Sequence, residues 1–363
     1  MRIAFDYQTF VLQAYGGIPR YFTELSRGLS CLGQTVRIFA PLYQNNYLSN
    51  LPNEIVNGRY LYKYPPKTTK VISLYNRFFS KIQIAKWKPE LVHETYYSEV
   101  GLAPFGCPTV ITVHDMIHEL FPEEFSPLDT TAVRKRIAID RATHIICVSL
   151  NTKKDLMRLH NVPEKKISVV YHGVQQFAVN NVPSTHNGRP FILYVGQRSG
   201  YKNFIGLLKA VASSNDLMNF FDIVAFGGEK FSSSELSLIY SLGFKSNQIK
   251  HQRGNDSLLA CLYSTARALV YPSLYEGFGM SPLEAMAYGC PVVSSISSSI
   301  PEVIGNAGEY FDPSDTDDMR RAIERVVLSD THIRGLKELG MVRLKLFSWE
   351  KCIQETYDIY SSI

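Results

Sequence analysis

The feature that most constrains this chain is an alternation that runs its whole length. Short apolar runs, four to eight residues long, are separated by stretches whose apolar residues recur at helical spacing. In the first half the runs are RIAFD (2–6), VRIFA (36–40), LVHE (91–94), TVITVHD (109–115), HIICVS (144–149) and ISVVYHG (167–173). In the second half they are FILYVG (191–196), FDIVAFGG (221–228), IKHQR (249–253), ALVYPS (268–273), PVVSS (291–295) and GEYFD (308–312). Several are almost continuously apolar, which a strand tolerates only when both of its faces are covered, as in a parallel sheet under helices. The pattern predicts an α/β fold of two Rossmann-like, doubly wound parallel-sheet domains facing a cleft.

Length and composition agree. The chain has 363 residues, 45% hydrophobic and 20% charged, enough for two domains with separate cores. VQQFAVNNVPSTHNGRP (174–190) is polar and aperiodic and reads as a linker. The expected division is a first domain over 1–173, a second over 191–345, and a C-terminal helix over 346–363. That helix carries Trp349, Cys352, Ile353, Tyr357 and Tyr360 on one face and must pack on something, with a return to the first domain as one option. Nearer the start, PRYFTELSRGLSCLG (19–33) reads as a helix opening at Pro19 and ending at Gly33. TKKDLMRLH (152–160) reads as a helix opened by a Thr-x-x-Asp signal.

Six scattered cysteines without C-x-x-C spacing imply reduced thiols of a cytoplasmic protein. No apolar window is long enough to span a membrane, and MRIAFDYQTF lacks the features of a signal peptide. The net charge of +5 is mild, and no basic motif is interleaved with aromatics, so a nucleic-acid partner is not expected. The charge is nevertheless uneven. Between Arg59 and Lys88 stand eight basic residues and no acid. Within that stretch Val71, Leu74, Phe78 and Ile82 share one helical face, with Lys70, Arg77 and Lys81 elsewhere on the wheel. This reads first as a core helix with a solvated basic face, and second as a peripheral contact with an anionic membrane surface.

In open α/β sheets ligands bind beyond the carboxyl ends of the strands, so the chemistry should lie there. After the first strand, Gly16 and Gly17 precede a helix and would present backbone N–H groups to an anion or a sugar. After the fourth expected strand, His114 offers an imidazole; pairing with His118 as a metal site lacks a third ligand. After the first strand of the second half, YVGQRSGYKN sets Arg198 and Lys202 among glycines, two cations suited to a diphosphate without a metal. LYEGFGMSPLEAMAYG (274–289) then places Glu276 on a loop and Glu284 on a helix, with Phe278, Gly279, Met280 and Ser281 between them. Ser281 and Glu284 have capping-box spacing, which is a structural reason for Glu284; Glu276 has no such reason. Asp315-x-Asp317 opens a helix and reads as ordinary helix-dipole pairing.

Glu276-x7-Glu284, with YVGQR and KN some eighty residues earlier, resembles the large GT-B family of retaining glycosyltransferases that includes bacterial mannosyl- and glucosyltransferases, family GT4. YGGIPRYFTEL, TVHD, NVPEKKISVVYHGV, YPSLYEGFGMSPLEAMAYGCPVVSS and SSIPEVIGNAGEYFDP follow in the family order. The resemblance implies a nucleotide-sugar donor, UDP- or GDP-hexose, no other cofactor, and a glycan or lipid-linked acceptor. It implies that Glu276 contacts the donor sugar and Glu284 the ribose. Backbone at Phe278, Gly279, Met280 and Ser281 would hold sugar and phosphates. Arg198 and Lys202 would bind the diphosphate, His114 would lie near the anomeric centre, Gly16 and Gly17 near the phosphate, and Arg253 and Gly254 near the base. A GT-B epimerase or phosphorylase and a non-catalytic nucleotide-sugar sensor are the alternatives.

Overall fold

A computed structural model of the chain describes residues 1–174, 189–198 and 200–363; of the expected linker, 175–188 lie outside the described residues. The chain forms two compact units, Met1–Gly173 with Trp349–Ile363, and Val174–Ser348.

The first unit is built on seven strands: β1 (Arg2–Phe5), β2 (Thr35–Tyr43), β3 (Val56–Tyr60), β4 (Leu91–Glu94), β5 (Thr109–Val113), β6 (His144–Cys147) and β7 (Ile167–Val169). Their order across the sheet is β3-β2-β1-β4-β5-β6-β7. The second unit has six among its described residues: β8 (Phe191–Val195), β9 (Asp222–Phe226), β10 (Ile249–Gln252), β11 (Ala268–Tyr271), β12 (Val292–Ser295) and β13 (Gly308–Phe311), in the order β10-β9-β8-β11-β12-β13. Every pairing is parallel. All residues of β4, β5, β9, β11 and β12 are buried, as two-sided helical cover requires. Both sheets reverse direction once, between β1 and β4 and between β8 and β11, and each reversal opens a crevice at the carboxyl ends of those strands.

One strand is absent from the sequence expectation. VNGRY (β3) is a half-exposed edge with a central glycine, so it lacks both the apolar run and the alternation that mark strands. Its glycine is needed for contact: a Cβ on Gly58 would overlap the Ala40 carbonyl beside the register shift between Phe39 and Leu42. His114 therefore follows the fifth strand, not the fourth.

That register shift also corrects the basic segment. The helix Thr69–Trp87 buries Ile72, Asn76, Ser80 and Ile84. Asn76 accepts from the Leu42 N–H at 2.9 Å and donates to the Leu42 carbonyl at 2.9 Å; Ser80 donates to the Phe39 carbonyl at 2.9 Å. The irregular ladder leaves backbone groups that need polar partners, and Asn76 and Ser80 supply them. The helix turns accordingly, and the residues expected in the core face outward: Val71, Leu74, Phe78 and Ile82 are 68, 57, 61 and 38% exposed, joined by Tyr75 and Phe79.

Helix starts also shift. The helix Gly17–Cys31 begins two residues before Pro19, and the helix Leu150–His160 is capped by Ser149, whose hydroxyl accepts from the Thr152 N–H. Asp315 caps the helix Thr316–Val327 by accepting from the N–H groups of Asp317 and Asp318, so its carboxylate has a structural use.

The helix Trp349–Ser361 packs on the first unit. It buries Cys352, Thr356 and Tyr360 against the core there, and the Tyr360 hydroxyl bonds His93 Nδ1. Ile353 rests where Gly28 has no side chain; a Cβ on Gly28 would overlap it. Gly28→Ala should therefore cost about 1–3 kcal/mol through overpacking. Combined with Ile353→Ala, it should cost less than the two single changes summed, as denaturant titration of the four variants in a mutant cycle would read.

Candidate active site

The second unit gathers its candidate residues at the β8–β11 reversal. The loop after β8 ends in the 3-10 turn Gly200–Lys202, and the loop after β11 carries Glu276. Lys202 Nζ meets Glu276 Oε1 at 2.6 Å, with both side chains largely buried. The two loops are also joined through backbone, Leu274 N–H to the Tyr201 carbonyl at 2.7 Å. The ammonium lies 5.9 Å from the Tyr271 ring centre.

Two serines that the sequence pattern did not single out hold this loop in place. The Glu276 N–H donates to Ser298 Oγ at 2.8 Å, while Ser299 Oγ donates to the carbonyls of Glu276 and Phe278 at 2.8 and 3.0 Å. The signal was the run Ser297–Ser299 after β12, a strand end at which the notable residues are scaffolding for a neighbouring loop.

The capping-box expectation fails. The helix runs Met280–Ala287 with Gly279 as its N-cap, at φ +105°, and no side chain among the described residues caps it. Gly279 takes the left-handed turn at no steric cost and starts the helix earlier than Ser281 would. Ser281 is the helix's second residue, and Glu284 lies too far along to fold back as a cap. Instead Glu284 Oε2 accepts from the Tyr263 hydroxyl at 3.2 Å. The helix N-terminus thus has no side-chain cap among the described residues, an arrangement suited to an anion.

Arg198 is turned elsewhere. Its guanidinium pairs with Glu235 at 2.6 Å, donates to the Gly227 and Glu229 carbonyls at 3.3 and 2.6 Å, and stacks 4.7 Å from the Phe231 ring centre. Its side chain is only 6% exposed. Burial works against the Glu235 carboxylate, but the bonds from Arg198 and Ser232 outweigh it and hold that carboxyl below its ordinary range. Arg253, beyond β10, is exposed and pairs with the Glu229 carboxylate at 3.1 Å. Gly254 follows it, close against Leu258. Arg198 and Arg253 thus share the Gly227–Lys230 loop, and Lys202 shares Glu276.

In the first unit, Gly16 is the N-cap of the helix Gly17–Cys31, which no side chain among the described residues caps. A Cβ on Gly16 would overlap the Gln13 side chain, whereas one on Gly17 would meet open space. His114, just past β5, is fixed by its own N–H to the Tyr97 hydroxyl at 3.3 Å. Its ring stands edge-on to Tyr21 and Phe22 and is stacked on His172 at 5.9 Å. Its Nε2 is buried without a hydrogen-bond partner among the described residues. Lys135, wholly buried, holds the following turn through Glu119 at 2.8 Å and the Asp115 carbonyl at 2.9 Å. His118 does not join His114; it stacks on Phe125 at 4.0 Å.

With this geometry in hand, the comparisons are specific. Residues 15–176 match the model of Glycosyltransferase Family 4, and residues 177–338 match that of Glycosyl transferases group 1. The O-antigen chain mannosyltransferase B of Escherichia coli is 30% identical over 69% of this chain and 69% of its own. The chain belongs to the group 1 glycosyltransferases. A second relative of this glycosyltransferase, the O-antigen chain mannosyltransferase RfbU of Salmonella typhimurium, is 30% identical over 60% of each chain. The fold is GT-B. Sucrose-phosphate synthase from Thermosynechococcus elongatus superposes with a TM-score of 0.76 at 20% identity, over 99% of this chain and 98% of that one. Anabaena HepE, solved with UDP and glucose, superposes at 0.74 and 18% identity over both whole chains.

The buried imidazoles set the pH behaviour. Burial, aided by mutual repulsion with His114, takes His93 and His172 down to about 3, and burial takes His114 down to about 4. All three are neutral at neutral pH, so the His114 ring carries no charge there. A depressed histidine binds fewer protons folded than unfolded, so its stability is whole above about pH 6.5 and falls as the pH drops towards the folded value. At pH 5, His93 and His172 should each cost about 2 kcal/mol. Calorimetry should find a lower Tm at pH 5 than at pH 7, with a shallower slope in His93→Gln.

Proposed function

We propose that this glycosyltransferase moves a hexose from a nucleoside-diphosphate sugar, of the UDP-glucose or GDP-mannose type, to a glycan or lipid-linked saccharide in polysaccharide synthesis. The mannosyltransferase relatives favour the mannosyl member of that pair. The observation that carries the proposal is the Lys202–Glu276 contact, seated beside an uncapped helix N-terminus at the β8–β11 reversal. Departure of a nucleoside diphosphate places new negative charge on phosphate and positive charge on the sugar. Lys202 and the backbone N–H groups at Met280 and Ser281 stabilise the first; Glu276 faces the second. Arg198 joins them by exchanging Glu235 for a phosphate oxygen, one anion for another. Two fixed cations and a helix N-terminus answer the diphosphate charge without a metal.

Transfer proceeds with retention on one face. The bond from anomeric carbon to phosphate oxygen breaks, the acceptor oxygen bonds to that carbon from the same side, and its proton passes to the departing phosphate. His114, whose Nε2 has no partner among the described residues, bonds a sugar hydroxyl as a neutral group. Glu284 takes the ribose diol, and Arg253 and Gly254 flank the base. The test is incubation with a panel of UDP- and GDP-hexoses, following glycoside, epimer and sugar phosphate. Glycoside should form with one donor. Glu276→Ala and Lys202→Ala should each lower turnover by about a thousandfold or more while the thermal transition is kept. An active double variant, or a sugar trapped covalently on Glu276, would refute the site or the one-face course respectively.

A lipid-linked acceptor requires approach to a bilayer, and the helix Thr69–Trp87 fits one. It exposes Val71, Leu74, Tyr75, Phe78, Phe79 and Ile82 together within a segment of eight cations and no acid. Apolar side chains to enter the interface and lysines to meet anionic headgroups are the two contributions peripheral binding needs. No described helix is long and apolar enough to cross the membrane. The protein should co-sediment with phosphatidylglycerol-containing vesicles and not with pure phosphatidylcholine. Binding should weaken with salt and be lost in Phe78→Glu/Phe79→Glu; binding unaffected by that pair would rule this face out.

A further inference from the structure

Three cations stand in a row on the helix Thr131–Arg141. Arg134 and Arg136 are 51 and 45% exposed and meet Glu99 and Asp140 at the surface. Lys135, between them, is wholly buried, on the same face as Ala138 and Ile139. An apolar residue is expected on such a face. A buried ammonium is costly to desolvate, and a well-packed apolar side chain of similar volume often serves stability as well or better. Packing therefore does not call for a lysine at this position.

The contacts of the ammonium do call for one. Lys135 Nζ donates to the Asp115 carbonyl at 2.9 Å and to Glu119 Oε2 at 2.8 Å, with Asp115 Oδ1 at 3.8 Å. It also lies 5.2 Å from the Tyr97 ring centre. Asp115 follows His114, and its Oδ1 accepts from the Ile117 N–H at 3.1 Å, so the turn leaving His114 is tied through both carbonyl and side chain. Tyr97 stands on the loop after β4, and its hydroxyl accepts from the His114 N–H at 3.3 Å. The chain is thus held immediately before and after the imidazole, and Lys135 lies against both holders. His114 Nε2 has no hydrogen-bond partner among the described residues. Its direction is therefore set by the backbone on either side and by the rings of Tyr21, Phe22 and His172.

We propose that Lys135 and Tyr97 are positioning residues for His114: Tyr97 fixes the backbone that enters it, Lys135 fixes the turn that leaves it, and the ammonium against the Tyr97 ring couples the two. This rests on the role proposed for His114 above. Each acts through His114 and not on the reacting atoms.

The experiment uses the full chain, offered GDP-mannose and UDP-glucose, and follows release of GDP or UDP while calorimetry records the thermal transition. Lys135→Met alone would strand the Glu119 carboxylate, so Lys135→Met/Glu119→Gln is compared with Glu119→Gln, Tyr97→Phe and His114→Ala. Tyr97→Phe keeps the ring under the ammonium, so it reads the entering side independently of any loss of folding at Lys135. Lys135→Met/Glu119→Gln and Tyr97→Phe should each lower kcat about 10- to 100-fold with the donor KM within about twofold, since a misplacement of about 1 Å suffices for a loss of that order. Glu119→Gln, which keeps the ammonium on the Asp115 carbonyl, should hold kcat within about threefold of the parent. Both losses should disappear when His114 is already Ala, whereas any shift in Tm should remain. Losses that persist in full in the His114→Ala background would overturn the proposal in favour of a purely structural lysine. If His114→Ala itself leaves kcat unchanged, the role given to His114 falls and the proposal falls with it. If His114→Ala lowers kcat and neither Lys135→Met/Glu119→Gln nor Tyr97→Phe does, only the positioning role falls.

Discussion

The ion pair between Lys202 and Glu276 is the contact on which the second unit's site depends. Two charges held largely away from water are tolerable only when each has a partner of opposite sign and further hydrogen bonds. The sheet supplies the partnership, because reversal of strand order sets the ends of β8 and β11 side by side although more than seventy residues separate their loops. Around the pair, Ser298 and Ser299 fix the backbone of the glutamate loop, and Gly279 turns it into a helix with no side-chain cap among the described residues. On the proposed reading, a ligand bearing phosphate and hydroxyl groups would meet cation, carboxylate and helix N-terminus together.

Much of this was legible in the chain. Twelve of the thirteen strands among the described residues announced themselves, because a strand buried on both faces must be nearly all apolar. The one that did not, β3, is an edge whose contact depends on a missing side chain at Gly58. Glu276, Lys202 and His114 could be placed at strand ends by position alone. Their companions could not: Ser299 and Tyr263 are ordinary residues in ordinary elements until tertiary structure sets one against the backbone of the Glu276 loop and the other against the Glu284 carboxylate. The helix Thr69–Trp87 misled for a related reason. Its apolar periodicity is real, but Asn76 and Ser80 answer a defect in the β2–β3 ladder, and satisfying those backbone groups outweighed the burial of Phe78 and Leu74. Likewise, spacing suggested a capping box at Ser281 and Glu284, yet a glycine able to adopt positive φ began the helix first.

Arg198 shows the limit of reading chemistry from residue type. A guanidinium beside two glycines after a strand suits a phosphate, and here it is enclosed by Glu235, backbone carbonyls and Phe231. On the proposed reading Glu235 stands where an anionic ligand would stand, and its pair with Arg198 holds the loop in this form. The cation is prepared for charge by already holding one.

The order of the chain has a consequence for how the protein is made. The first unit is interrupted after Gly173, the second unit follows whole, and only then does Trp349–Ser361 arrive to cover Tyr21 and bond His93. On the ribosome, the first unit must wait with part of its aromatic core bare while some 175 further residues are synthesised, which at about 5–20 residues per second is roughly ten to thirty seconds. The second unit, continuous in sequence, has no such wait. The amino-terminal half, although translated first, is therefore completed last.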